Sequence, residues 1–168
     1  MYEEADPTAP ETVYGHSKAK AEAFLIAEHP QSTILRASMI YGYHHPRRIN
    51  FFRFLEQRLS KGKTVQLCTD VYGRTTHIRD LCAVIQKVID QKIIGIYHVC
   101  GKEYVNRYQL GHIVCDVKGY DANLLVGIEK PPQINISHYL NLRPSPIFEK
   151  EITTSLKEGI SQWESTPS

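Results

Sequence analysis

The sequence predicts an α/β protein organised on a parallel sheet. Two observations carry that prediction. Helix-like and strand-like stretches alternate along the chain. The first complete unit is a helix rich in Ala, Glu and Lys over roughly residues 12–29, stopped by Pro30 and followed by an apolar run over 32–42. A third observation qualifies both. The alternation begins with a helix, and the chain contains no glycine-rich strand-to-helix turn of the kind a dinucleotide pyrophosphate needs, since Gly15 stands alone.

The elements follow in order. Met1 to Thr12 carries Asp6-Pro7 and Ala9-Pro10 with few apolar residues, which reads as a surface loop entering the first helix. That helix offers Ala19, Ala23, Phe24 and Ala27 as apolar positions. Ser32 to Gly42 reads as a strand, and Tyr43 to Arg48 as a polar, basic loop. Phe51, Phe52, Leu55 and Leu59 have helical spacing and predict a second helix, ended by Gly62. Val65 to Cys68 predicts a short strand, Val71 to Arg74 a turn, and Thr75 to Ile78 an extended segment. Asp80 is expected to cap a helix from Leu81 to Gln91, as a cap rather than a ligand. Ile93 to Cys100 reads as a buried strand, and Leu110, Ile113, Val114 and Val117 predict a helix over 106–118. Asn123 to Ile128 is expected as the last strand. Pro131-Pro132 and Arg143-Pro144-Ser145-Pro146 then predict loop, followed by a weakly amphipathic helix from Phe148 to Gln162 and a frayed tail.

Size and composition bound the function. At 168 residues the chain can bury one real core and is too short for two ordinary ones. An apolar fraction of 42% and a charged fraction of 23% are those of a soluble globular protein, and a net charge of +2 gives no reason to expect nucleic acid. No apolar run approaches the roughly 20 residues of a membrane span, and the acidic start lacks the regions of a signal peptide, so the cytoplasm is the expected location. Cys68, Cys82, Cys100 and Cys115 are far apart and read as reduced, buried small hydrophobes. No histidine forms H-x-x-x-H beside an acid or cysteine, and the His44-His45 pair lies in a loop, so no metal is expected.

The chemistry-bearing stretch is Val13 to Glu22. Tyr14 and Lys18 are four residues apart at a helix start and share one face. A phenol beside an ammonium in a confined site gives up its proton more readily. By spacing alone the pair is equally two exposed residues of an amphipathic helix.

Further stretches in register give it context. Tyr2-Glu3-Glu4-Ala5-Asp6-Pro7-Thr8-Ala9-Pro10 resembles a P-Y-x-E-x-D-x-x-x-P stretch, and Tyr14-Gly15-His16-Ser17-Lys18 with Glu22 fits Y-G-x-[ST]-K-x-x-x-E. Ile34 to Gly42 looks like I-L-R-x-S-x-x-Y-G. Asn50-Phe51, Gly62 to Val65, Thr75 to Leu81 and Gly95 to Val99 follow in the same order. Together, over about residues 2–120, these resemble the C-terminal part of the extended short-chain dehydrogenase/reductases, most closely the RmlD-like (dTDP-4-dehydrorhamnose reductase) group. Arg143-Pro144 fits a late R-P element of that family, without the L-D that usually follows it.

The resemblance implies the C-terminal part of an NAD(P)-binding Rossmann-type fold with its small substrate-binding region. Residues 1–42 would be the active-site helix and following strand, and 43–168 mainly the substrate-binding region. It implies a nucleotide-sugar substrate in dTDP-rhamnose biosynthesis, with NADPH or NADH reducing a 4-keto group. Tyr14 would be the general acid, and Lys18 would hold the cofactor ribose. Ser38, Met39 and Ile40 would lie near the nicotinamide. Arg47, Asn50, Phe51, Arg74 and His77 would meet the nucleotide-sugar, although Arg47, Arg48 and Arg74 read equally as solvated loop charges. The family's leading half, with the glycine-rich turn and a Ser/Thr partner for the tyrosine, is absent from this sequence. The expectation is therefore a fragment, or a chain completed by a separate one, inactive and without cofactor affinity by itself. Exposed sheet edges would make it prone to homo-oligomerise or aggregate. The alternatives are a non-catalytic sugar-nucleotide-binding module, like the methionine adenosyltransferase regulatory subunit, and an NAD-dependent epimerase or dehydratase.

Overall fold

The computed structural model describes residues 1–42, 50–133 and 139–163. The expectation of a frayed tail over 164–168 lies outside them. Helix α1, Val13–Glu28, begins at Thr12, whose hydroxyl accepts from the Gly15 N–H, and it buries no residue. Its expected apolar positions therefore face no core, and Phe24 is 59% exposed. Strand β1, Thr33–Ala37, follows, then the two-residue strand β2, Ile40–Tyr41. Helix α2, Phe51–Leu59, is capped by Asn50 and buries Phe52, Leu55 and Leu59, as the spacing predicts.

Strand β3 spans Val65–Cys68. The turn expected at Val71 to Arg74 is instead a strand, β4, Tyr72–Arg74. Strand β5, Thr76–His77, leads into α3, Ile78–Gln91, whose N-cap is His77. Asp80 is thus not the cap. It sits in the first turn of α3, buried, and accepts from the Thr154 hydroxyl at 2.6 Å and backbone at 3.2 Å. Strand β6, Gly95–Val99, and the unexpected β7, Tyr104–Asn106, precede α4, Arg107–Lys118. Asn106 and Gln109 close the start of α4 with a reciprocal capping box. Strand β8 is Leu125–Ile128; the short β9, Tyr139–Leu140, falls in a stretch expected as loop. The long last helix shrinks to α5, Leu156–Ser161, because Pro146–Phe148 forms a separate single 3₁₀ turn.

The strands make a mixed α/β fold dominated by parallel pairs. β1 pairs with β6, β2 with β5 and β3 with β8, all parallel. β4 lies between antiparallel β7 and parallel β9. Among the described residues β1 has β6 as its sole partner, so its other edge is open. The main core packs α2, α4 and α5 over β3 and β8, with Leu55, Leu110, Val114 and Ile160 at its centre. A smaller core joins Val84 of α3 and Val99 of β6 to Phe148 and Ile152. Cys68, Cys100 and Cys115 are buried free thiols, whereas Cys82 is exposed, against expectation, because it lies on the outer side of α3. Burial pushes the Cys100 thiol up to about 11. No described helix is long and apolar enough to cross a membrane.

Two predictions follow from packing. Leu55 is fully buried, so Leu55→Ala should cost about 2–5 kcal/mol in urea unfolding. Gly111 lies inside α4, where a Cβ would overlap Leu67 Cδ1 and approach Leu125 Cδ1 to 3.3 Å. Alanine there gains about 1 kcal/mol of helix propensity but meets an overpacking cost of roughly 1–3 kcal/mol. Gly111→Ala should therefore destabilise, and a higher unfolding midpoint would contradict this packing.

His77 sets a pH dependence. It is buried, lies 5.1 Å from the Tyr41 ring, and its Nδ1 has no hydrogen-bond partner among the described residues. Burial pushes its imidazole below the usual 6.5. The folded state therefore binds fewer protons than the unfolded chain below that pH, so this contribution is present above 6.5 and lost as pH falls beneath it. Stability should drop as pH falls below 6.5, and His77→Asn should flatten that slope. An identical slope in the variant would remove His77 as its source.

Candidate functional site

A cavity of about 860 Å³ lies where α1, the N-terminal stretch, the end of β1, β4, β9 and the start of α4 converge. Tyr14, Lys18 and Glu22 line it from successive turns of one α1 face. Gly15 allows the first turn to sit close to the preceding loop. A Cβ there would stand 3.2 Å from both Pro10 Cβ and Thr12 Oγ1.

α1 is tied to the sheet by charge. The Arg36 guanidinium of β1 meets the Glu22 carboxylate through two hydrogen bonds, one with Nε at 3.0 Å and one from Nη2. That hydrogen bonding holds the Arg36 guanidinium above its ordinary value. Arg36 Nη1 also donates to the Glu4 carbonyl at 3.1 Å and lies 3.4 Å from His98 Nε2.

The end of β1 is fixed from below. The Thr76 hydroxyl lies 2.6 Å from the Ser38 carbonyl and 2.8 Å from that of Val99. The Ser38 hydroxyl donates to the Arg74 carbonyl at 2.8 Å. Met39 follows with φ of 33°, a left-handed conformation that side chains rarely adopt. Such strain persists where surrounding bonds over-determine it, and it concentrates at functional sites. Both Ser38 and Met39 line the cavity.

The N-terminal stretch is clasped by residues 141–145. Tyr2 N–H donates to the Asn141 carbonyl at 2.7 Å, and Arg143 N–H to that of Tyr2 at 2.9 Å. Glu3 pairs with Arg143 at 3.0 Å. The Glu4 carboxylate accepts from the Ser145 hydroxyl and from the His98 N–H at 3.3 Å. Burial alone would raise the Glu4 carboxyl, but these hydrogen bonds leave it below its usual 4.5.

The cavity brings together Tyr14, Lys18, Ser38, Met39 and Arg74 of the sequence-predicted residues. The others lie outside its lining. Ile40 is half-exposed on β2; Asn50 caps α2 by accepting from Arg53 N–H at 2.9 Å. Phe51 sits beneath the Arg107 guanidinium, 5.0 Å from it, and His77 is buried under Tyr41. Arg47 lies outside the described residues. Arg74 lines the cavity, but its Nε donates to Asn141 Oδ1 at 3.1 Å and its Nη1 to the carbonyls of Gly101, at 3.3 Å, and Lys102. Arg107 lines the cavity too and escaped the sequence reading. The available signal was an arginine opening a helix with no acid at the third or fourth residue after it. Among the described residues, no group of acids, histidines and cysteines could hold a metal ion.

Tyr14, Lys18, Ser38 and Met39 are the cavity residues that could hold the nicotinamide end of a dinucleotide. Tyr14 and Lys18 face the cavity across from a strained, well-bonded strand end, while a pyrophosphate-binding glycine turn is not part of this sequence.

Comparison with known proteins agrees. Residues 1–146 match the family described as RmlD substrate binding domain. The chain is 30% identical over 127 residues to the probable low-salt glycan biosynthesis reductase Agl14 of Haloferax volcanii, covering 74% of this chain and 42% of that protein. It is 27% identical over 122 residues to dTDP-4-dehydrorhamnose reductase of Mycobacterium tuberculosis, covering 71% and 39%. It superposes on the crystal structure of dTDP-4-dehydrorhamnose reductase from Bacillus anthracis in complex with NADP with a TM-score of 0.84 at 21% identity, covering 96% of this chain and 58% of that one. The last likeness shows a shared Rossmann-type fold, of which this chain is the C-terminal part. The chain thus spans about two fifths of the length of these curated relatives. With residues 1–146 of its 168 matched, the chain belongs to the RmlD substrate binding domain family.

Proposed function

We propose that this chain forms the substrate side of a nicotinamide-dependent reductase acting on a keto nucleotide-sugar, of the dTDP-4-dehydrorhamnose type. The observation that carries the reading is the single cavity shared by Tyr14, Lys18, Ser38, Met39 and Arg74. The names of the relatives support the substrate class, and the NADP bound to the B. anthracis enzyme supports the cofactor. Residues 1–42 act as the catalytic helix and strand, and 43–168 mainly as the substrate-binding region.

A bound NADPH or NADH supplies the hydride that the carbonyl carbon receives. Tyr14 donates its phenolic proton to the carbonyl oxygen, and solvent restores it. Lys18, one turn on, holds the cofactor ribose and stabilises the phenolate left behind. Ser38 and Met39, which line the cavity at the end of β1, would hold the nicotinamide. Arg74, with Nη2 uncommitted among the described residues, faces the substrate. Tyr14 is 73% exposed, which favours one competing reading, a binding module without turnover.

The test supplies the glycine-rich dinucleotide half of a full-length relative, fused ahead of Met1. Reduction of dTDP-4-dehydrorhamnose should then be measurable by NADPH oxidation. Tyr14→Phe should slow it about 10²- to 10⁴-fold while leaving cofactor affinity nearly unchanged. An undiminished rate would take Tyr14 out of the mechanism, and substrate binding without any turnover would favour the binding module. The 168-residue chain alone should show no measurable NADPH affinity.

A further inference from the structure

We propose that Arg107 receives the phosphate oxygens of the ligand in this cavity, the ligand being a nucleoside diphosphate if the nucleotide-sugar reading, on which that identity rests, is correct. Three observations support it. The side chain lines the cavity, yet among the described residues no carboxylate pairs with it. Its guanidinium rests over the Phe51 ring at 5.0 Å, with Nη1 against the Met39 sulfur. Glu103, four residues earlier, is committed to the Leu156 N–H at 3.0 and 3.2 Å.

The position is also unfavourable for a purely structural cation. Arg107 is the first residue of α4, where the helix dipole disfavours positive charge. An unpaired cation removed from water is costly, and burial pushes this guanidinium below its ordinary value.

The other cavity arginines are engaged by protein oxygens. Arg36 is held by Glu22, and Arg74 spends Nε and Nη1 on neighbouring oxygens. A planar guanidinium fork matches two phosphate oxygens. The volume of about 860 Å³ suits a nucleotide-sized ligand. Tyr72 and Tyr139, stacked at 6.0 Å, line the same cavity.

The test is calorimetric titration of the chain with dTDP, thymidine and inorganic diphosphate, for wild type, Arg107→Gln, Arg107→Lys and Arg107→Met, with Lys61→Gln as a surface-charge control. Arg107→Gln and Arg107→Met should weaken dTDP and diphosphate about ten- to hundred-fold, with Arg107→Lys between them and wild type. Thymidine binding and the control should be unaffected. Arg107→Met should melt no lower than wild type, whereas a structural arginine would lower it; a lower melt with unchanged dTDP affinity overturns the proposal. Tight dTDP binding independent of Arg107 overturns the proposal and leaves the nucleotide-sugar reading standing. Arg107-dependent diphosphate binding with no gain from the nucleoside supports the phosphate site and overturns that reading. Binding of no ligand by wild type overturns both.

Discussion

The Glu22–Arg36 ion pair decides which face of α1 meets the cavity. α1 carries the Tyr14–Lys18–Glu22 stripe and buries no residue, so no apolar packing fixes its rotation. The fork of Arg36 gripping the third residue of that stripe points the first two at the cavity. The magnitudes are revealing. A partly exposed ion pair contributes roughly 0–1 kcal/mol, whereas burying one large apolar side chain contributes about 1.5–3 kcal/mol. Val13, Phe24 and Ile26 on α1 are exposed here, and covering any one of them would outweigh the ion pair. Charge sets the direction of the helix; packing against β1's open edge would set its rigidity.

This division explains what could be read from the residues. That Tyr14 and Lys18 share a face follows from spacing, because a helix start fixes which side chains lie together. α2 and α4 follow from apolar periodicity, because their faces meet a core within this chain. α1 misled at Ala19, Ala23, Phe24 and Ala27 for the complementary reason: the period is present and the surface it would meet is not among the described residues.

The missed pieces depend on distant partners. Tyr72-Gly73-Arg74 has the composition of a turn, and it becomes a strand only because Tyr104–Asn106 and Tyr139–Leu140 come to lie on either side. Asp80 has the look of a cap, but its carboxylate reaches Thr154, 74 residues away. Arg107 belongs to no motif. Its interest lies in having no paired carboxylate among the described residues, which shows only once the fold is in place.

The clasp between the chain's two ends gives the late Arg143-Pro144 element a physical role. Tyr2, Glu3 and Glu4 are held by Asn141, Arg143 and Ser145, and His98 joins them through its backbone N–H. The stretch so pinned runs on through Pro7 to Pro10, which lines the cavity and abuts Gly15 at the base of α1. Helix α1 is thus fixed at two points, at its start by a loop anchored to residues 141–145 and two turns later by Arg36. Glu4 and Arg36 meet between them, since Arg36 also donates to the Glu4 carbonyl. Disturbing the clasp therefore reaches Tyr14 through the loop and Glu22 through Arg36, although no clasp residue needs to touch a ligand.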